Sequence, residues 1–169
     1  SGLIKESLKT ENEIQSICNS FIEAKGSMFL GRGYSFPIAL EGALKLKELA
    51  YVHAEGYPAG EMKHGPLALI EDGMPVVVLA PRDKYYKKTI SNMQEVIARG
   101  AKVLLITNKR KDEVYSENIW QTIEVENTSE DLFPFLVTVP LQKLAYYSAL
   151  KKGYDIDKPR NLAKSVTVE

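Results

Sequence analysis

The chain has 169 residues, which predicts a single domain over residues 1–169. Its 22 basic residues balance 22 acidic ones, so no net charge draws it to nucleic acid or to an anionic membrane surface. The single cysteine, Cys18, excludes an internal disulfide, and no apolar run approaches the roughly 20 residues of a membrane span; both observations predict a cytoplasmic protein.

Helical and strand patterns alternate along the chain. Residues 10–25 have apolar positions at helical spacing, and the same holds for residues 38–52, 84–99 and 132–152. Strands are predicted at residues 27–30, 53–56, 75–80, 102–107 and 122–125, the last near a sheet edge. A short helical turn is expected at residues 66–70. Pro140 lies inside the last helical pattern, so a kink or a restart of the helix is expected there.

The predicted strands are almost uniformly apolar, as in PVVVLA at residues 75–80 and KVLLIT at residues 102–107. Such runs are typical of parallel strands that are buried on both faces. With right-handed crossovers, they predict an α/β fold in which a parallel sheet forms a three-layer α/β/α sandwich. Ligands bind such sheets beyond the carboxyl ends of the strands, where the turn at residues 31–33 and the loop before His64 are expected.

Residues 31–65 combine a Gly-rich turn, a long apolar helix and a His-bearing loop. Glu41, Lys45 and Glu48 are charged residues at i, i+4 and i+7, so they form one stripe on the helix. A carboxylate such as Glu48 is either paired structurally, with Lys45 as an adequate partner, or held for proton transfer. The stripe and the loop together predict an acid–base site.

The remaining candidate groups each have an ordinary structural alternative. His64, in EMKHG, titrates in the range useful for proton transfer, but most loop histidines are simply exposed. His53 is interpreted as structural. Lys164 is either a solvated tail lysine or an amine nucleophile, which requires deprotonation. One cysteine and two histidines without ligand spacing predict no metal site, and the turn at residues 31–33 is only a weak phosphate-binding signal.

Two long segments carry a specific resemblance. The sequence LGRGYSFPIALEGALKLKELAYVHAEGYPAGEMKHGPLALI and the terminus DIDKPRNLAKSVTVE closely resemble the glucosamine-6-phosphate synthase family, also called glutamine–fructose-6-phosphate aminotransferases (isomerizing). The match is to the second of two sugar-isomerase (SIS) lobes and covers nearly the whole chain. It implies a flavodoxin-like sheet of five parallel strands, with a catalytic tail at about residues 154–169.

The resemblance also implies residue roles. In that family, fructose 6-phosphate and ammonia from glutamine give glucosamine 6-phosphate without an organic cofactor. The residue matching Glu48 moves a proton between C1 and C2 of the sugar, and the one matching Lys45 assists it. The histidine matching His64 opens the sugar ring across a subunit interface. The lysine matching Lys164 forms an imine with the opened sugar, and Ala163 joins Glu48 and Lys164 in substrate binding.

Partners follow from the same resemblance: a first SIS lobe, a glutaminase domain and a second copy in a homodimer, with no nucleic acid and no membrane. The isolated lobe is expected to be inactive, because the phosphate-holding loops of the family belong to the first lobe. Two alternatives stay open. A sugar-phosphate-sensing regulatory module would not need Glu48, His64 and Lys164 together, and a stand-alone sugar-phosphate isomerase or deglycase would need hydroxyl-rich phosphate loops in this chain.

Overall fold

The computed structural model describes residues 2–110 and 115–162. Two N-terminal helices precede the first strand, and one helix follows the last strand. The helices are α1 Gly2–Ser7, α2 Glu11–Glu23, α3 Ser35–Ala50, α4 Tyr86–Ile97 and α5 Phe133–Lys151. The strands are β1 Ser27–Gly31, β2 Ala54–Pro58, β3 Pro75–Ala80, β4 Lys102–Asn108 and β5 Gln121–Val125. Two 3₁₀ segments, Ala59–His64 and Pro66–Leu69, connect β2 to β3.

The five strands form one sheet in the order β2-β1-β3-β4-β5, and every neighbouring pair is parallel. The predicted flavodoxin-like sheet is therefore confirmed. All residues of β1 and β3 are buried, as expected for strands covered on both faces. The weaker apolar pattern of β5 agrees with its position at the sheet edge.

Helices cover both faces of the sheet. One core lies between the sheet and α2, α3 and α5, and contains Phe21, Phe29 and Leu141. The other lies beneath α4 and the first 3₁₀ segment, and contains Leu30, Met62 and Met93. Within the described ranges, no helix has the length and apolar character that a bilayer crossing requires.

Two expectations about local structure need correction. Pro140 does not restart α5, which is continuous from Phe133 to Lys151. Pro140 lacks the N–H that would bond to the carbonyl of Leu136, but buried residues on both sides, such as Val137 and Leu144, pack the helix against α2 and α3. Tertiary packing thus outweighs the local cost. The stretch before His64, expected as a loop, is a 3₁₀ helix that lies against α4.

Candidate active site

The predicted polar stripe is a connected ion-pair group on α3. Lys45 Nζ donates a hydrogen bond to Glu48 Oε2 at 2.7 Å and lies 3.6 Å from Glu41 Oε1. The side chains of Lys45 and Glu48 are 30% and 28% exposed. The hydrogen bond to Glu48 raises the pKa of Lys45, with burial opposing it and Glu41 adding to it. Lys45 is therefore an ammonium group beside the carboxylate of Glu48, which remains partly exposed to solvent.

The C-terminal tail docks beside this stripe. Arg160 donates its backbone N–H to Tyr51 Oη at 2.7 Å, and its guanidinium carbon lies 4.1 Å from the centre of the Tyr51 ring. Tyr51 follows the last residue of α3 and has a left-handed backbone, with φ of 52°. A groove of about 290 Å³, called the tail groove below, is lined by Leu44, Lys47, Glu48, Tyr51, Arg160, Asn161 and Leu162.

Two predicted residues lie outside the part of the chain that the structure describes. Ala163 and Lys164 directly follow Leu162, the last described residue. Leu162 lines the tail groove together with Glu48. The described chain thus approaches Glu48 immediately before the predicted nucleophile. Sequence reasoning did not single out Tyr51, whose contact with Arg160 joins residues 109 positions apart.

His64 is the last residue of the first 3₁₀ segment, which is called the histidine segment below (Ala59–His64). Its side chain is 75% exposed, and its Nε2 lies 3.7 Å from Oε2 of Glu61, one turn earlier in the segment. Gly65 follows with φ of 139°, a backbone conformation that residues with a side chain rarely adopt. The imidazole is therefore exposed to solvent at the end of the segment, just before the backbone changes direction at Gly65.

The fold places Glu48 and His64 at opposite ends of the domain. Helix α3 starts beyond the carboxyl end of β1 and runs back over 16 residues, about 24 Å at 1.5 Å per residue. Glu48 lies in its last turn, near the amino ends of the strands. β2 then returns parallel to β1, and the histidine segment follows its carboxyl end. One chain does not bring the predicted carboxylate and imidazole together.

The turn between β1 and α3 is filled by the protein's own side chains. Arg32 donates from Nε and Nη2 to Asn92 Oδ1 on α4 at 3.3 and 2.9 Å. The ring of Tyr85 lies against Gly33. The glycine-rich turn is thus an internal contact point between β1 and α4, and this side chain packing uses space that a phosphate cradle would need.

No group of three or more candidate metal ligands occurs in residues 2–110 and 115–162. His53, interpreted as structural, accepts a backbone hydrogen bond from Ser27 at 3.0 Å through its carbonyl. A cavity of about 380 Å³ lies at the amino ends of β1 and β3, beside Lys25, His53 and Asp72. Glu48, Lys45 and His64 do not line this cavity, so it is not the candidate active site.

The parallel sheet in the order β2-β1-β3-β4-β5 and the helical layers on its two faces define a flavodoxin-like α/β/α domain. The chain belongs to the SIS domain family, whose model matches residues 20–152. It is 53% identical over 167 residues to glutamine–fructose-6-phosphate aminotransferase (isomerizing) of Bartonella henselae, and 50% identical over 168 residues to that of Aquifex aeolicus. Both alignments span 99% of this chain but only 28% of the relative.

A solved structure agrees with these relatives. The C-terminal domain of glucosamine-fructose-6-phosphate aminotransferase from Francisella tularensis superposes with a TM-score of 0.87 at 46% identity. The match covers 93% of this chain and 44% of that domain. The resemblance to this enzyme family, stated from two sequence segments, is confirmed over nearly the whole chain.

Proposed function

We propose that this chain is the second isomerase lobe of an enzyme that makes glucosamine 6-phosphate from fructose 6-phosphate and glutamine-derived ammonia. The proposal covers the whole chain as one SIS domain that works in the cytoplasm. The observation that carries it is the Lys45–Glu48 pair at the groove where the tail docks, in a chain about half identical to these enzymes.

The chemistry divides among three groups of this chain. His64 opens the sugar ring by moving a proton on the ring oxygen, which frees the C2 carbonyl. The amine of Lys164 attacks C2 and water leaves, giving an imine that ammonia then displaces. Glu48 takes a proton from C1 and returns it to C2, so a ketose becomes an amino aldose. Lys45, held as an ammonium, stabilises the carboxylate of Glu48 whenever that group is deprotonated.

The separation of Glu48 from His64 supports a site shared between two copies of the chain. In a homodimer, His64 of one subunit reaches the sugar held beside Glu48 of the other. Exposed apolar residues on the adjacent helices α3 and α5 favour covered surfaces: Leu40, Leu44, Phe135, Tyr146 and Leu150. We expect a dimer in sedimentation experiments, and a lone 18.9 kDa species at high concentration would contradict this.

The first SIS lobe and the glutaminase domain are proposed partners within the complete enzyme. The relatives are far longer than this chain, which spans 28% of them, and the solved C-terminal domain is covered over 44%. A second lobe would supply the phosphate-holding loops, because the turn at Arg32 is closed by its contact with Asn92.

Borohydride trapping tests the proposed function. In the complete enzyme with fructose 6-phosphate, we expect a reduced adduct on Lys164, located by peptide mass spectrometry. Glucitol 6-phosphate, which has no carbonyl group and cannot form an imine, is the matched control ligand, and Lys158 is an internal control lysine in the same tail. Trapping on another lysine, or none at saturating substrate, would contradict the assignment of Lys164. Efficient trapping by this chain alone would contradict the need for a first lobe.

A further inference from the structure

The histidine segment is attached to α4 by one direct ion pair and by one packing contact through Arg32. Lys63, which directly precedes His64 in sequence, has its Nζ 3.2 Å from Oε1 of Glu95. At the other end of the segment, the guanidinium of Arg32 fits against Gly60 and is held by Asn92. Asn92 and Glu95 are three residues apart and therefore lie on the same face of α4. One helix face thus holds both ends of the segment that carries His64.

The Arg32–Asn92 contact is well defined and inward-facing. Asn92 is only 8% exposed, and its single side-chain oxygen accepts from both Nε and Nη2 of Arg32. Two donors from one planar guanidinium fix the direction of the group as well as its distance. Arg32 therefore forms a rigid link from the end of β1 to α4, across which the histidine segment lies.

Gly60 is what allows this link to pass so close to the histidine segment. A Cβ atom at Gly60 would lie 2.7 Å from Nη2 and 3.0 Å from Cζ of Arg32. The backbone of Gly60 is not in the left-handed region, in contrast to Gly65. The absence of a side chain at position 60 thus serves the contact with Arg32, since the backbone conformation itself does not require glycine.

We propose that Arg32, Asn92 and Glu95 are positioning residues that fix the histidine segment on α4 and thereby aim His64 at its substrate. The inference rests on the proposed function for the role of His64, but the attachment itself does not. The buried side chain of Met62 anchors the middle of the segment in the core under α4. The imidazole, 75% exposed, gains little orientation from its own contacts, so its aim is set by this backbone.

Hydrogen–deuterium exchange of the complete enzyme tests the attachment without measuring activity. Asn92→Leu removes the acceptor at similar size, and we expect peptides that cover residues 59–65 to exchange about 10-fold faster because the segment opens locally more often. Asn92→Asp keeps the acceptor oxygens and should exchange like the wild type. Gln94→Leu makes a comparable change at an exposed position of α4 and is the matched control.

Gly60→Ala tests the same contact from the other side without altering Arg32 or Asn92. The added methyl group displaces the flexible end of Arg32, so we expect a small change in melting temperature and faster exchange over residues 59–65. Wild-type exchange in both Asn92→Leu and Gly60→Ala would overturn the proposal. Equal acceleration across β1, β3 and α4 would also overturn it, because Asn92 would then only stabilise the fold.

Kinetics of the complete enzyme connect the attachment to His64. We expect Asn92→Leu to lower kcat for isomerisation about 10-fold with KM for fructose 6-phosphate unchanged, since misaligned groups lose rate more than binding. When Asn92→Leu is combined with His64→Asn, we expect the same kcat as in His64→Asn alone. A full additional loss there would overturn the proposal. If His64→Asn itself turns over normally, the proposed function fails, while the exchange experiment still decides the attachment.

Discussion

The two ends of the domain present their candidate catalytic groups in contrasting ways. At the end of α3, Glu48 is about one-quarter exposed, bonded to Lys45 and flanked by the docked tail. On the histidine segment, His64 is three-quarters exposed, and its Nε2 lies 3.7 Å from Oε2 of Glu61. The first region is a paired carboxylate beside a groove that the chain itself lines, whereas the second presents a largely exposed imidazole on a short segment packed against α4.

The difference teaches how one chain can divide a reaction between sites. A carboxylate proposed to move protons on carbon can be paired with a cation on its own helix, because residues at i and i+3 lie side by side. A ring-opening imidazole needs only correct aim, so it can be donated to a neighbouring subunit. In this fold Lys45 lies 2.7 Å from Glu48, and residues 59–64 pack on α4, so both regions fit the roles that we propose for them.

Removal of the tail is the strongest test of the region around Glu48. Truncation after Arg160 should abolish isomerisation in the complete enzyme, because Lys164 is lost while the Tyr51–Arg160 contact stays. The melting temperature should remain nearly unchanged, because the truncation removes only Asn161 and the half-exposed Leu162 from the groove and keeps the Tyr51–Arg160 contact. Measurable turnover by the truncated enzyme would separate the tail from the reaction.

Glu48→Gln should cause the next largest loss of isomerisation rate. The amide is nearly isosteric but cannot accept a proton, so kcat should fall by about 10²-fold or more with substrate binding retained. Glu41→Gln is the matched control, because Glu41 also lies near Lys45 but at the longer distance of 3.6 Å. Turnover at the wild-type rate in Glu48→Gln would remove Glu48 from the mechanism, and an equal loss in both variants would indicate an electrostatic role for the whole stripe.

Hybrid dimers test whether the outward-facing histidine serves the partner. Glu48→Gln and His64→Asn subunits, each inactive alone, are mixed after reversible dissociation. If His64 acts across the interface, half of the dimers are hybrids with one intact site of two, which restores about a quarter of wild-type activity. If both residues act within one chain, the mixture contains no intact site and stays inactive. Measurement of isomerisation before and after mixing decides between these arrangements.

The smallest effect is expected at the tail contact. Tyr51→Phe removes the acceptor for the backbone N–H of Arg160 but keeps the ring beneath its guanidinium. A hydrogen bond of about 1 kcal/mol corresponds to a roughly 5-fold decrease in imine formation, measured by borohydride trapping. Tyr34→Phe, at the exposed other end of α3, is the control. An equal rate for Tyr51→Phe and the wild type would show that the tail docks without this contact.

Much of this organisation follows from local sequence pattern. The apolar runs of β3 and β4 and the spacing of Glu41, Lys45 and Glu48 have direct structural counterparts, since both depend on residues close in sequence. The continuity of α5 through Pro140 could not be predicted, because packing on distant helices sustains it. Other features, namely the Arg32–Asn92 and Tyr51–Arg160 contacts, join positions that only the folded topology brings together.

The distance between Glu48 and His64 has a similar explanation. In the sequence, Glu48 on the polar stripe of the apolar helix and His64 in the following loop are only 16 positions apart. Glu48 lies where α3 ends, near the amino ends of the strands. β2 then carries the chain back to the carboxyl ends before His64, so the two residues are separated along the strand direction. Roles for Glu48, Lys45 and His64 stay predictions, as do those for Ala163 and Lys164, which lie beyond the described residues.

The left-handed backbone of Tyr51 carries a consequence for how this domain can be stabilised. A helix end of this conformation ordinarily favours glycine, and a bulky residue there costs roughly 1 kcal/mol. Tyr51→Gly would relieve that strain, but it would also delete the ring that contacts Arg160 and Tyr154. Engineering that places glycine at every left-handed helix end would therefore relax the backbone here and loosen the tail in the same step.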